Sequence, residues 1–336
     1  MKFAFFVPSP VAQRNRGGSP FMRGVARQLI RLGHDACFPA HGTDLDAALN
    51  GADIVIVEDG VAPDLIAALG RRRLAGGRFT LLFRDAGHGT PTGSLEAYDG
   101  VLAAAESVCE PRLAEGWGRQ AFTWHEGVDT ELFRPVPGQP KIMDLIWIGG
   151  RDPVDYGDLR KFLLLPVARL GLKACVHGAP APIATGAGLA EAGIRDGGWL
   201  PNRLVTVAYA GALLTVNLPP ARETLPGIPS SRLFEALACG IPLVSGPWHD
   251  TDGLFPPGCY LRADDGAEMI ASLSLLRHGH DLREELIENG LSAIEAQHTC
   301  GHRAEELLWI VERLQGRMQT RAAQRAASGA HSAGLR

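Results

Sequence analysis

The sequence has little lysine: only positions 2, 141, 161 and 173 carry it, and every other fixed cation is arginine. A lone arginine is therefore weak evidence of function in this chain. Cysteine is sparse too. The six cysteines (37, 109, 175, 239, 259, 300) are widely scattered and form no C-x-x-C pair. That spacing speaks against a zinc site or a disulfide framework and for reduced core thiols in a cytoplasmic protein. No apolar run approaches the ~20 residues of a membrane span, and "MKFAFFVPSP" is too short for a signal-peptide core. No repeat of 20–50 residues is visible. The first strand is not followed by G-x-G-x-x-G, which weakens a dinucleotide oxidoreductase. No H-E-x-x-H zinc motif occurs.

What is present is ordinary for a folded protein. Apolar residues make up 46% of the 336 residues and charged residues 21%. Single cores stop growing near ~250–300 residues, so two domains are expected. The net charge of −4 argues against general nucleic-acid binding. Residues 317–336 carry four arginines and no acid, so the rest of the chain stands at −8 (−4 less the four). This Ala/Ser/Gly-rich stretch reads as a disordered basic tail, 316–336.

Short apolar strands alternate with helical patterns. "KFAFFV", "DIVIVED" and "RFTLLF" read as strands, with "FMRGVARQLIRLG" and "PDLIAALGRRRLAG" as helices between them. In the first helix Val25, Leu29 and Leu32 recur at helical spacing, and Gly33 stops it. "AFTWHEGVD" closes this half, and the proline-rich "RPVPGQPK" reads as a linker. The alternation then restarts with "IMDLIWIGG", "YGDLRKFLLLPVARLG", "KACVHG", "PNRLVTVAYAG" and "ALLTVNL". Two helical stretches, about 265–296 and 302–315, end the fold. The expected class is α/β: two doubly wound, Rossmann-like domains facing across a cleft, residues 1–136 and 142–315. In such sheets ligands bind at the carboxyl ends of strands.

One stretch concentrates the chemistry. "SSRLFEALACGIPLVSGPW", 230–248, reads as a cap (Ser230 or Ser231), a short apolar helix, a glycine stop and a buried strand. Glu235 is the one acid in that helix. One reading is an acid near the helix N-terminus that answers the macrodipole. The other is a carboxylate beside phosphate-binding amides, placed to accept hydrogen bonds from two adjacent ribose hydroxyls. The pairs "DLD" (44–46) and "DTD" (250–252) read as a helix cap and a turn rather than a metal site.

"RLFEALACGIPLVS" resembles the corresponding segment of GT-B glycosyltransferases, especially the spore-maturation CgeB-like family. Other segments are similar in order: "GGSPFMRGVARQLIRLGHDA", "EGVDTELFRP" with Glu126 in place of the usual asparagine, "DLIWIGG", "GWLPNRLVTVAYAGALLTVNL" and "HRAEELLWIVERL". The likeness spans roughly 1–315. It implies a metal-independent glycosyltransferase with an acceptor-side N-terminal domain and a nucleotide-sugar-binding C-terminal domain. The nucleotide-diphosphate sugar is its substrate, and no separate cofactor is implied. The acceptor would be a glycan, a protein or a small molecule.

The same likeness implies a donor set of Glu235 on the ribose, Arg151 (after Gly149 and Gly150) and Arg232 on the diphosphate, with Ser231 and Asn217 alongside. Gly227 stands where many retaining relatives carry a second glutamate. An inverting transfer needs a base. His88 and Asp85, in the loop "RDAGHGTPTGS" after a strand, are the candidates, with Glu58 and Asp59 as competitors. Two other classes share the architecture: a non-catalytic sugar-nucleotide or glycan binder, and a sugar-nucleotide epimerase.

Overall fold

Runs of four to six apolar residues, closed by glycine or an acid, set the strands. The computed structural model describes all residues except 9–18, 41, 88–93, 150–153, 179–186, 219–226 and 334–336, and no side chains of 317–333. The chain divides into two compact units. One holds the described residues of Met1–Ala12, Val25–His125 and Gly301–Arg336, the other those of Gln13–Gly24 and Glu126–Cys300. The closing helix thus folds with the first unit, whereas the sequence reading put 302–315 with the second half. That helix spans Cys300–Ala333 and so continues into the stretch read as a disordered tail. Its alanines and arginines are strong helix formers.

The first unit carries a parallel sheet of β1 (Lys2–Phe6), β2 (Asp35–Cys37), β3 (Ile54–Glu58), β4 (Thr80–Asp85), β5 (Gly100–Ala103) and β6 (Ala121–Thr123). Their order is β2-β1-β3-β4-β5-β6. β3 and β4 are buried at every residue, as strands covered on both faces must be. Val25 and Leu29 of the helix Pro20–Arg31 are buried as expected, but Leu32 is exposed, because the helix has ended before it.

The second unit carries β7 (Met143–Ile148), β8 (Ala174–His177), β9 (Arg195–Asp196), β10 (Ala212–Asn217), β11 (Leu243–Ser245) and β12 (Leu261–Arg262). All pairs are parallel, in the order β12-β11-β10-β7-β8-β9. Alternate residues of β7 face opposite ways: Leu145 and Trp147 join one core, Ile146 and Ile148 the other. The stretch with an internal proline bends as expected. A helical turn Tyr156–Leu159 passes through a π-helical turn, Arg160–Leu164, before Leu165–Leu170. Pro166 lacks the N–H that a straight helix would use, and the wider turn absorbs the loss. Among the described residues no helix is long and apolar enough to cross a membrane. None of the six cysteines is in a disulfide, and four of them are buried.

Candidate functional site

Strand order locates the site in the second unit. β7 lies between β10 and β8, so the chain moves outward from β7 first through β8 and β9, then on its other side through β10, β11 and β12. The β7/β10 border is where the winding reverses, and ligands of doubly wound sheets bind at the carboxyl ends of strands at such a point. β7 ends at Ile148 and Gly149, β10 at Asn217 and β11 at Ser245. The helix Ser231–Ala238 joins β10 to the parallel β11. A crossover helix runs back against its strands, so its N-terminus lies at this same carboxyl edge.

Each of these ends is shaped by local chemistry. Gly149 N–H donates to the His177 carbonyl at 2.8 Å. A Cβ on Gly149 would lie 2.7 Å from the Gly178 carbonyl oxygen, so only glycine lets the two backbones approach. Gly149→Ala is therefore expected to destabilise the protein by about 1–3 kcal/mol, the cost of forcing packed backbone apart. A thermal melt reads it; an unchanged midpoint would mean the β7 end yields freely. Asn217 is buried, and its Nδ2 donates to Ser245 Oγ at 3.0 Å, tying the ends of β10 and β11 together. His177, at the end of β8, shares a 3.6 Å contact with Cys175 Sγ, and that hydrogen bond pushes the imidazole pKa up.

The helix is built as the sequence implies, and the structure chooses between the two cap candidates. Ser230, not Ser231, is the cap: its hydroxyl accepts from Arg232 N at 3.2 Å, while Ser231 is an exposed first-turn residue. Glu235 lies in the second turn, and the first turn holds no acid. The macrodipole acts within the first turn, so it does not account for Glu235. Gly240, at φ +65°, ends the helix with paired bonds from Gly240 N to Leu237 O and from Ile241 N to Ala236 O.

Glu235 is only 7% exposed. Arg232 Nη1 donates to its Oε2, one helical turn away. Burial raises the Glu235 pKa, against the attraction of Arg232, and Glu126 adds to the rise. Glu235 is thus a buried acid, and Arg232 of the same helix bonds it. Tyr209, buried and within the field of both, was not singled out by the sequence, nor was Ser245. A tyrosine in an apolar helix carries no signal of its neighbour's charge.

Of the other expected residues, Gly150, Arg151 and His88 lie outside the described residues. Asp85 is fully buried at the end of β4. Its Oδ2 accepts from Arg112 Nε at 2.7 Å and its Oδ1 from Gly87 N at 2.8 Å. Both oxygens thus accept hydrogen bonds from within the first unit. Glu58 and Asp59, the competitors, are buried as well. Gly227 adopts φ +96°, a backbone position that no glutamate takes readily. Asp44 caps a helix, and Asp250 accepts from Leu254 N and Phe255 N at 2.8 and 2.9 Å.

Comparison with known proteins follows this geometry. Residues 160–309 match the family model described as glycosyl transferase-like. The matched segment contains Asn217, Arg232 and Glu235. The sucrose-phosphate synthase of Thermosynechococcus elongatus superposes with a TM-score of 0.68 at 14% identity, covering 94% of this chain and 99% of that one. A glycosyltransferase from Rickettsia africae gives 0.67 at 14% identity, over 94% and 98%. Anabaena HepE, in complex with UDP-glucose, gives 0.67 at 11% identity, over 93% and 100%. The chain has the GT-B fold. No curated protein matches the sequence. The matched segment takes in β10 and the helix Ser231–Ala238 on one side of the reversal point, while β7 precedes it in the chain.

Proposed function

We propose that the protein transfers a sugar from a nucleotide-diphosphate sugar to an acceptor. The donor lies at the carboxyl edge of β7 and β10, and Glu235 accepts hydrogen bonds from its ribose diol. The observation that carries the reading is Glu235: a buried carboxylate in a short helix at the switch point, within the glycosyl transferase-like segment. An acid is costly to bury, and neither the dipole nor an exposed surface accounts for it there. Arg151, next to Gly150 and two residues past Gly149, is the proposed diphosphate ligand, and Asn217 borders the same edge. The CgeB-like kinship of "RLFEALACGIPLVS" belongs to the same proposal. So do a metal-independent reaction and a glycan, protein or small-molecule acceptor.

HepE was solved with UDP-glucose, which makes uridine diphosphate sugars the first donors to try. Thermal shift against UDP, GDP, ADP and their glucose conjugates is the test. A diphosphate at 100 times its Kd stabilises by about 2.7 kcal/mol, a shift of several degrees. No shift with any diphosphate would remove the donor site. Binding without even slow donor hydrolysis would point to the non-catalytic reading.

A further inference from the structure

Arg232 sits where a phosphate ligand is expected, and its geometry gives it another task. Its Nη1 bonds Glu235, and its Nε is buried with no hydrogen-bond partner. The side chains are 17% and 9% exposed. Three further groups face the pair: Tyr209 from the helix Asn202–Ala210, Glu126 from the segment leading into the second unit, and Cys239 at the end of the same helix. None of them brings a positive charge. Among the described residues, Arg232 is thus the cation that acts on a buried carboxylate which also has a second acid nearby.

A carboxylate taken out of water takes up a proton unless a cation or hydrogen-bond donors hold it ionised. A ribose diol needs the ionised form, because both hydroxyls donate to it and a protonated carboxyl gives up part of its accepting capacity. The bond from Arg232 occupies one lone pair of Oε2 and leaves the rest for the ligand. It also fixes the side-chain rotamer, which saves the ligand that ordering cost.

We propose that Arg232 is a positioning residue: it holds Glu235 ionised and oriented for the ribose diol and does not itself bind the diphosphate. The inference rests on the donor-site reading above. It fixes the sign of a pH effect. Diol binding needs the ionised carboxylate, so affinity falls as pH drops through the raised Glu235 pKa. Without Arg232 that pKa climbs further, and the loss begins at higher pH.

Calorimetric titration of uridine and UDP against wild type, Arg232→Met, Arg232→Lys, Glu235→Gln and the Met/Gln double variant decides the matter. Arg232→Met is expected to weaken uridine and UDP by one common factor, tenfold or more, with Arg232→Lys recovering most of it at neutral pH. In the Glu235→Gln background the same change should cost less than about twofold, because residues acting through one another are non-additive. A loss for UDP that spares uridine overturns the proposal and returns Arg232 to the phosphates. If wild type binds neither, the donor-site reading fails. The Glu235 carboxyl, titrated by ¹³C NMR in ligand-free protein, then still tests the pair: an unchanged midpoint in Arg232→Met overturns it.

Discussion

Glu235→Ala is expected to weaken nucleotide binding by roughly 10–100-fold and to unsettle the fold as well. The first effect follows from the loss of charge-assisted hydrogen bonds to the ribose, each contributing about 1.5–3 kcal/mol. The second follows from what the truncation leaves behind. Arg232 is mostly buried and bonds Glu235, and removing one partner of a buried pair costs about 3–5 kcal/mol. For a unit of this size the melting temperature should fall by on the order of 10 °C. Glu235→Gln separates the effects, since it keeps volume and one acceptor while removing the charge. It should lose affinity with a smaller loss of stability. Unchanged affinity in either variant would remove Glu235 from the donor site.

The same carboxyl gives two pH dependences of opposite sign. Burial raises its folded-state pKa. Relative to the unfolded chain, the fold therefore penalises the ionised form even with Arg232 beside it. This residue's contribution to stability is full below the ordinary glutamate range and declines as pH rises through the raised value. Nucleotide binding runs the other way and weakens as pH falls through it. A melting series and a binding series over one pH range should thus trend oppositely; parallel trends would show that another group dominates.

The alternation of strands and helices was legible because each long strand is a continuous apolar run, as in Ile54–Glu58 and Ala212–Asn217. Three strands were not. β2 is three residues at a sheet edge, β9 is the polar pair Arg195–Asp196, and β5 opens on Gly100. Gly100 is there because a Cβ would press Leu82 and the Gln120 carbonyl at 3.3–3.4 Å, a packing demand that looks like a turn signal in sequence. In the site, the residues of one helix were readable together, since Ser230, Arg232 and Glu235 are fixed by a single period. Which way Arg232 turns was not. Spacing of three allows an arginine to reach its own helix's acid or a ligand, and the buried Tyr209, which lies in the field of both, comes from far off in sequence. Asp85 shows the same limit, because Arg112, which engages it, arrives from a helix beyond the next strand.

His88→Ala is expected to lower turnover by roughly 10²–10⁴-fold while leaving donor affinity within about twofold, the mark of a lost general base. His88 is the first candidate to test because both carboxylate oxygens of Asp85, its rival, already accept hydrogen bonds. The two oxygens hold Arg112 and Gly87, and Gly87 takes φ +78° as the chain enters the loop. Asp85→Asn should therefore act on stability, weakening a buried charged hydrogen bond by about 1–3 kcal/mol, with turnover per folded molecule little changed. A histidine acting as general base also sets a rising limb in the pH–rate profile, and that limb should vanish in His88→Ala. The assay is transfer to a working acceptor, or slow hydrolysis of the donor where no acceptor is in hand. Near-normal turnover in His88→Ala with the limb intact would dismiss the loop. Glu58 and Asp59 at and just past the end of β3, both buried, would be tested next.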